Sequence, residues 1–202
     1  MDELVIRGMA KWPNVPAVYG WLSLDRRGQW LIKGERTSNP VVTAYIGRNY
    51  ERDERGCWFF QNGPQRVFVR LDYAPLVLRV QSAEGAPLEL EAHTGKRVAT
   101  VEGTWLDEEG SLVLLTNLGP GVLHDHDLDR LMPSLVDANG NPLEESVLDN
   151  LMELAGHLQS VPLWLNFHDS NVKIDPIRAS DVQGRLAFVR EPEPPAGAEA
   201  CS

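Results

Sequence analysis

Apolar and polar positions alternate along much of this chain. The run from Arg66 is strict. Val67, Val69, Leu71 and Tyr73 fall on one side, and Arg66, Phe68, Arg70 and Asp72 on the other. The first set reads as the buried side of a strand. The second places an aromatic ring between two arginines on the side expected to meet water. A second strict alternation sets Leu88, Leu90 and Ala92 against Glu89, Glu91 and His93. Residues 18–25 and 29–35, joined by Arg26-Arg27-Gly28, predict a hairpin. So do the runs on either side of Asn62-Gly63-Pro64 and of Glu108-Glu109-Gly110. The stretches APLVLRVQ, VPLWLNF and RLAFVR read as further strands.

A helical period replaces the alternation in three places. Residues 2–11 put Leu4, Val5 and Met9 on one side. Near 40–50, Ser38 or Asn39 can accept from the open amides of a first turn. Pro40 suits the first helical position, and Val41, Val42, Tyr45, Ile46 and Asn49 follow. Over 143–159 the stripe Val147, Leu148, Leu151, Met152, Ala155 and Leu158 follows Asn141, Pro142 and Glu144, a capping-box arrangement. LGPGVLHDHDLDRLMPSL predicts a loop and a short helical turn before Pro133. The fold class expected is α+β, with two small, mostly antiparallel, β-rich units, each with a helix packed on its sheet. The expected boundaries are 1–83 and 84–190, with a disordered tail at 191–202. SAEGAP marks the junction, near 81–87. The six tryptophans, at 12, 21, 30, 58, 105 and 164, are expected in the core or at an interface.

Charge sharpens that division. Residues 1–80 carry 12 Lys/Arg against 8 Asp/Glu, whereas residues 81–202 carry 7 against 21, within a net charge of −10 over 202 residues. A basic first half facing an acidic second half argues against coating by a long polyanion, so nucleic acid is not the expected partner. The two cysteines, Cys57 and Cys201, offer no Cys-x-x-Cys pair. Cys57 reads as a buried free thiol. The charged N-terminus does not resemble a signal peptide, and no run approaches the ~18 apolar residues of a membrane span, so a soluble cytoplasmic protein is expected.

Gly28-x-Trp30 with Gly34, Pro40 opening a helix, Gly56-x-Trp58, and a strand carrying Val67 and Asp72 toward Pro75 form a recurring pattern. Over about the first 80 residues it resembles a bacterial family of proteins of unknown function. More loosely it is similar to a second uncharacterised bacterial family of two-part α+β proteins. The markers are turn glycines and tryptophans, so the resemblance implies a fold and brings no catalytic residue.

Two constellations carry candidate chemistry. The first is Arg66, Phe68 and Arg70, with Arg48, Arg52, Arg55 and Arg79 nearby in sequence. Guanidinium groups beside a ring can hold a small anion or grip an acidic protein. Two bland accounts stand beside that one: the acidic half of the same chain, or a helix covering Phe68 while the arginines reach around it to water. The second constellation is LHDHDLDR. His124 and His126 could share one divalent metal with carboxylates, which would suit a metal-dependent hydrolase-like enzyme. A calcium loop does not fit, because Arg130 stands where the sharp bend needs Gly and Val136 where the bidentate Glu belongs. The bland account is a helix entry, with Asp125 or Asp127 capping amides. His168-Asp169-Ser170 reads as a turn, and His93-Thr94-Gly95-Lys96 lacks the rest of a phosphate loop. With no assembled nucleophile and no cofactor motif, the chain reads as a non-enzymatic binding or regulatory module.

Overall fold

The computed structural model describes residues 1–12, 15–83, 85–143 and 162–195. The helix expected over 143–159 and the end of the tail fall outside them. The chain is mixed α+β and mostly strand, in two sheets. It divides into two compact units. One comprises residues 1–75, the turn His93–Gly95 and the chain from Ala187; the other comprises 76–92 and 96–186. The change of unit falls at Pro75, ahead of the 81–87 loop where the composition shifts. The reason is that Leu76–Val80 already pairs in the second sheet.

The first unit opens with α1 (Glu3–Lys11), whose first turn is closed by the Asp2 carbonyl accepting from the amides of Val5 and Ile6. Its sheet has the order β3-β2-β1-β6-β5-β4. The strands are β1 (Val18–Leu24), β2 (Trp30–Ile32), β3 (Glu35–Arg36), β4 (Tyr50–Arg52), β5 (Trp58–Asn62) and β6 (Gln65–Leu71). The two expected hairpins, β1/β2 and β5/β6, form as antiparallel pairs. Gly63, at φ 57°, supplies the left-handed residue the second turn needs. α2 (Pro40–Arg48) starts at Asn39, whose side-chain oxygen accepts from the amides of Val41 (2.9 Å) and Val42 (3.4 Å).

One pairing in this sheet is parallel. β1 lies beside β6 with Leu22 opposite Val69 and Leu24 opposite Leu71. It brings one face of the two hairpins into a common core of Leu22, Leu24, Trp30, Tyr50, Trp58, Val69 and Leu71, all buried. Within it the Tyr50 ring meets Trp30 edge-on at 5.0 Å and Trp58 at 4.9 Å. The Tyr50 hydroxyl donates to the Pro75 carbonyl at 3.1 Å. His93 joins the cluster, 5.1 Å from Trp30 and 5.9 Å from Tyr50.

The second unit holds an eight-stranded sheet, ordered β12-β13-β14-β9-β10-β11-β7-β8. Its strands are β7 (Leu76–Val80), β8 (Leu90–Ala92), β9 (Val101–Leu106), β10 (Leu112–Thr116), β11 (Gly119–Leu123), β12 (Leu135–Val136), β13 (Leu163–Phe167) and β14 (Ser170–Pro176). Among the described residues its helical pieces are α3 (Leu128–Leu131), between 3-10 turns at Asp125–Asp127 and Met132–Ser134, and α4 (Val182–Arg185). Leu78, Leu90, Leu114, Leu131, Leu163 and Leu165 are fully buried. Apart from β1/β6, β7/β11 and β9/β14, the described strand pairs are antiparallel.

Four expectations need correcting. LGPGVL is a strand, not a loop. Gly121 lets β11 lie close beside β7, where a Cβ would stand 2.9 Å from Leu78 Cγ. RLAFVR is not a strand; it holds the end of α4, Ala187 at φ 53°, and a single bridge from Val189 to Cys57. Trp12 and Trp21 are 59% and 40% exposed, so they are not core residues. Phe68, expected on the water side, is 4% exposed.

Candidate functional site

What buries Phe68 also builds a cleft. Because β1 runs parallel to β6, Tyr19 stacks on Phe68 with centroids 4.6 Å apart and planes 9° from parallel. Across the hairpin Phe59 pairs with Phe68, their rings 5.8 Å apart. Together with Cys57 these rings form a small second core, on the opposite face of β5 and β6 from Trp58 and Val67. Neither the 40–50 helix nor bulk water covers Phe68; Tyr19, Ala17 and Val189 do.

The arginines divide into three groups. Arg66 and Arg55 sit over the rings: Arg66 Cζ is 4.8 Å from the centre of Phe59, and Arg55 Cζ is 5.4 Å from that of Phe68. Arg70 is exposed and stands 3.9 Å from Asp72, away from the cleft. Arg48 pairs with Asp2, and Arg79 serves the second unit. Arg66, Phe68 and Arg70 therefore do not form one platform. Arg55 takes the place that sequence spacing gave to Arg70.

Arg55 is held by a turn that the sequence dictates. Asp53 Oδ1 accepts from the amides of Arg55 (3.0 Å) and Cys57 (2.9 Å), and its Oδ2 accepts from Arg55 Nε at 3.0 Å. Gly56, at φ 82°, completes the turn; a Cβ there would meet the Ala187 carbonyl at 2.5 Å. The Tyr19 hydroxyl, and then Asp53, raise the Arg55 pKa further. Arg66 is different. It is exposed, and among the described residues no carboxylate lies within ion-pair distance of it.

Around these groups opens a cleft of about 620 Å³, walled by Met9, Trp12, Tyr19, Arg55, Arg66 and Phe68, with Gln61 in its lining. Gln61 is fully buried. Its amide nitrogen donates to the Gly63 carbonyl at 2.9 Å, and its Oε1 has no donor. The Cys57 thiol has its pKa raised by burial and then by Asp53, which keeps it protonated and removes it as a nucleophile.

The histidine pair lies elsewhere. His124, buried, caps the 3-10 turn: its Nδ1 accepts from the His126 amide at 3.1 Å. Neither Asp125 nor Asp127 plays the whole capping part expected of it. Asp125 accepts from the same amide. Asp127, 2% exposed, accepts from Arg79 Nε (2.6 Å), Arg79 Nη2 (3.1 Å) and the Val80 amide (2.9 Å). Burial would raise the Asp127 pKa, but these hydrogen bonds outweigh it and the group is lowered. Candidate donor atoms of His124, Asp125 and His126 all lie within 4.8 Å of one another. The His124 pKa is lowered by burial and by Arg79, so the imidazole is neutral at pH 7. His168, at φ 53°, sits in the tight β13/β14 turn.

An α+β protein of two β-rich units, with an arginine-and-aromatic cleft in the first, is what these observations define. The family model DUF2944, described as "Protein of unknown function (DUF2946)", matches residues 1–193, and the chain belongs to that family. The resemblance seen in the first 80 residues thus extends over nearly the whole sequence. Among solved structures the chain is similar to a DUF1285 family protein from Silicibacter pomeroyi DSS-3. That match is 16% identical with a TM-score of 0.53, over 79% of this chain and 82% of that one. It is also similar to a DUF1285 family protein from Shewanella baltica OS155, at 19% identity and a TM-score of 0.42, over 57% of this chain and 90% of that one. The first likeness speaks to fold alone. No curated protein matches the chain. No described helix is long and apolar enough to cross a membrane.

Proposed function

We propose that this protein is a non-enzymatic binding module whose first-unit cleft takes a small organic anion with a flat apolar body. The observation that carries this reading is Arg66: a guanidinium over the Phe59 ring, with no acid paired to it among the described residues, at the wall of a 620 Å³ cleft. Clefts of roughly 300–1,000 Å³ suit small molecules, and a concave wall favours such a ligand over the flat surface of an acidic protein. Arg55 is already balanced by Asp53, so the lining charge left for a ligand is that of Arg66. Tyr19, Phe68 and Met9 supply apolar contact for a ring.

The test is calorimetric titration with benzoate and salicylate. Arg66→Glu is expected to weaken binding at least about tenfold, the worth of one charge-assisted pair. Circular dichroism should be unchanged, since Arg66 is exposed and holds no ion pair. Equal binding by wild type and variant, or no saturation by either ligand, would sink the reading.

A second reading is a divalent metal on His124, Asp125 and His126. Its support is the 4.8 Å grouping of donor atoms together with the neutral His124. Binding through Nδ1 of His124 would give up the hydrogen bond from His126.

A further inference from the structure

The second unit carries a cleft of its own, about 570 Å³, which the reading above does not use. Its wall is Trp105, from β9. Trp105 stands opposite Asp175 of β14 in the sheet register, so the two share a face. Gly103, two residues earlier on that face, lets the indole lie across the strand: a Cβ there would come within 2.4 Å of Trp105 Cη2. Arg185 of α4 places its guanidinium 5.9 Å from the indole centre.

The lining charges are mixed and offset one another only in part: the amides of Glu108 and Ala179, and then Arg178, lower the Glu108 pKa. Two cations, Arg178 and Arg185, border the cleft, and among the described residues neither has a carboxylate within ion-pair distance. Three carboxylates border it too, each with one oxygen engaged, two of them by a backbone amide or a cation. Glu108 Oε2 accepts from the Ala179 amide at 2.8 Å. Asp175 Oδ1 accepts from Lys173 Nζ at 2.7 Å. Asp181 takes only the Ser180 hydroxyl, on Oδ1 at 3.1 Å, so its second oxygen is open. The cleft is left with two guanidinium groups, one carboxylate (Asp181) on which neither a cation nor a backbone amide sits, and a flat indole. A simple anion would meet three carboxylates and a simple cation two guanidinium groups. A molecule carrying both charges satisfies each side.

We infer that this cleft binds a small zwitterion of α-amino-acid type. Its carboxylate lies toward Arg178 and Arg185, its ammonium toward Asp181, and its flat side chain against Trp105. The site lies in the second unit and is independent of the anion cleft around Arg66.

The experiment is ligand-observed saturation-transfer NMR and calorimetry on the full chain. The probe is L-phenylalanine, set against 3-phenylpropionate, which lacks the ammonium, and 2-phenylethylamine, which lacks the carboxylate. L-Phenylalanine is expected to bind at least about tenfold tighter than either analogue, the effect of one unmatched charge. Arg185→Gln and Asp181→Asn, both at exposed positions, should each cost a similar factor. Gly103→Ala, which displaces the indole without touching a charged group, should weaken all three ligands together. All three ligands are titrated against the Arg66→Glu chain, which removes the first cleft's anion group, so that a carboxylate held there does not enter the comparison. No saturation by L-phenylalanine at about 10 mM, well above useful affinity, would overturn the inference. So would equal binding by 3-phenylpropionate, or an Asp181→Asn variant that binds as wild type.

Discussion

His93 makes the stability of the first unit depend on pH in a calculable way. Its imidazole lies in the aromatic cluster with Trp30 and Tyr50, and burial pushes its pKa from the ordinary 6.5 down to about 3. Between those two values the unfolded chain holds a proton that the native protein does not. Stability therefore rises with pH across that window, by about 1.4 kcal/mol per pH unit for a single group. Acidifying from pH 6.5 to 4.5 should remove about 2–3 kcal/mol through this histidine alone. The carboxylates also titrate near the lower end, so the perturbation must isolate His93. His93→Gln does this, because the other groups are common to both chains. The assay is urea unfolding at several pH values from 7 to 4.5, followed by tryptophan fluorescence, for which Trp30 is a local reporter, and by circular dichroism. The wild type should lose stability faster than the variant, so the gap between them changes by about 2 kcal/mol or more across the range. Parallel stability curves would refute the reasoning. They would mean that His93 is protonated in the folded state or that the cluster opens to water before unfolding.

Asp127→Asn should destabilise the second unit by about 2–3 kcal/mol at pH 7, since it weakens charge-assisted bonds to a half-exposed Arg79. The lowered pKa of Asp127 means its contribution is present above the unfolded value near 4 and lost as pH falls through the folded one. The wild type and variant should therefore converge in urea titrations as the pH falls below about 4, and a gap that stays constant into acid would contradict the pairing. For the metal reading, zinc titration should show one site that His126→Ala removes and that Asp127→Asn leaves, because both Asp127 oxygens already serve Arg79. Zinc binding unchanged in His126→Ala would retire that reading.

Elements closed by local chemistry were legible in the sequence. The β5/β6 hairpin follows from a glycine that must adopt positive φ at Gly63, between two β-rich runs. α2 follows from Asn39 and Pro40, because its first orphan amides are met within three residues. What escaped depends on partners distant in sequence. Gly119-Pro120-Gly121 carries loop chemistry by any local rule. It becomes a strand because β7 and β10 lie on either side and Gly121 lets Leu78 close in. Residues 185–190 have strand-like alternation, but among the described residues they make a single bridge, at Cys57.

The candidate site was half legible for a related reason. Alternation placed Arg66, Phe68 and Arg70 on one face, and that geometry holds, but an outward side chain need not be wet. The sign that this face is covered was in the strand next door. Trp58, Phe59, Phe60 and Gln61 are all buried, and Trp58-Phe59-Phe60 is continuously apolar rather than alternating. An unbroken apolar run implies cover on both faces of a sheet. Read that way, Phe68, opposite Phe59, belongs to a second core. The ring that covers it, Tyr19, could not be found from spacing, because it arrives by the parallel β1/β6 pairing, nearly fifty residues away in sequence. The same pairing explains why Arg55 and not Arg70 joins Arg66. Tyr19 approaches Phe68 from the β1 side, and Asp53 fixes the Arg55 guanidinium from the turn. Arg70, two residues further along β6, lies opposite Ser23 and beyond the cleft. A cation near a ring in sequence marks a site only where long-range pairing closes the walls around it.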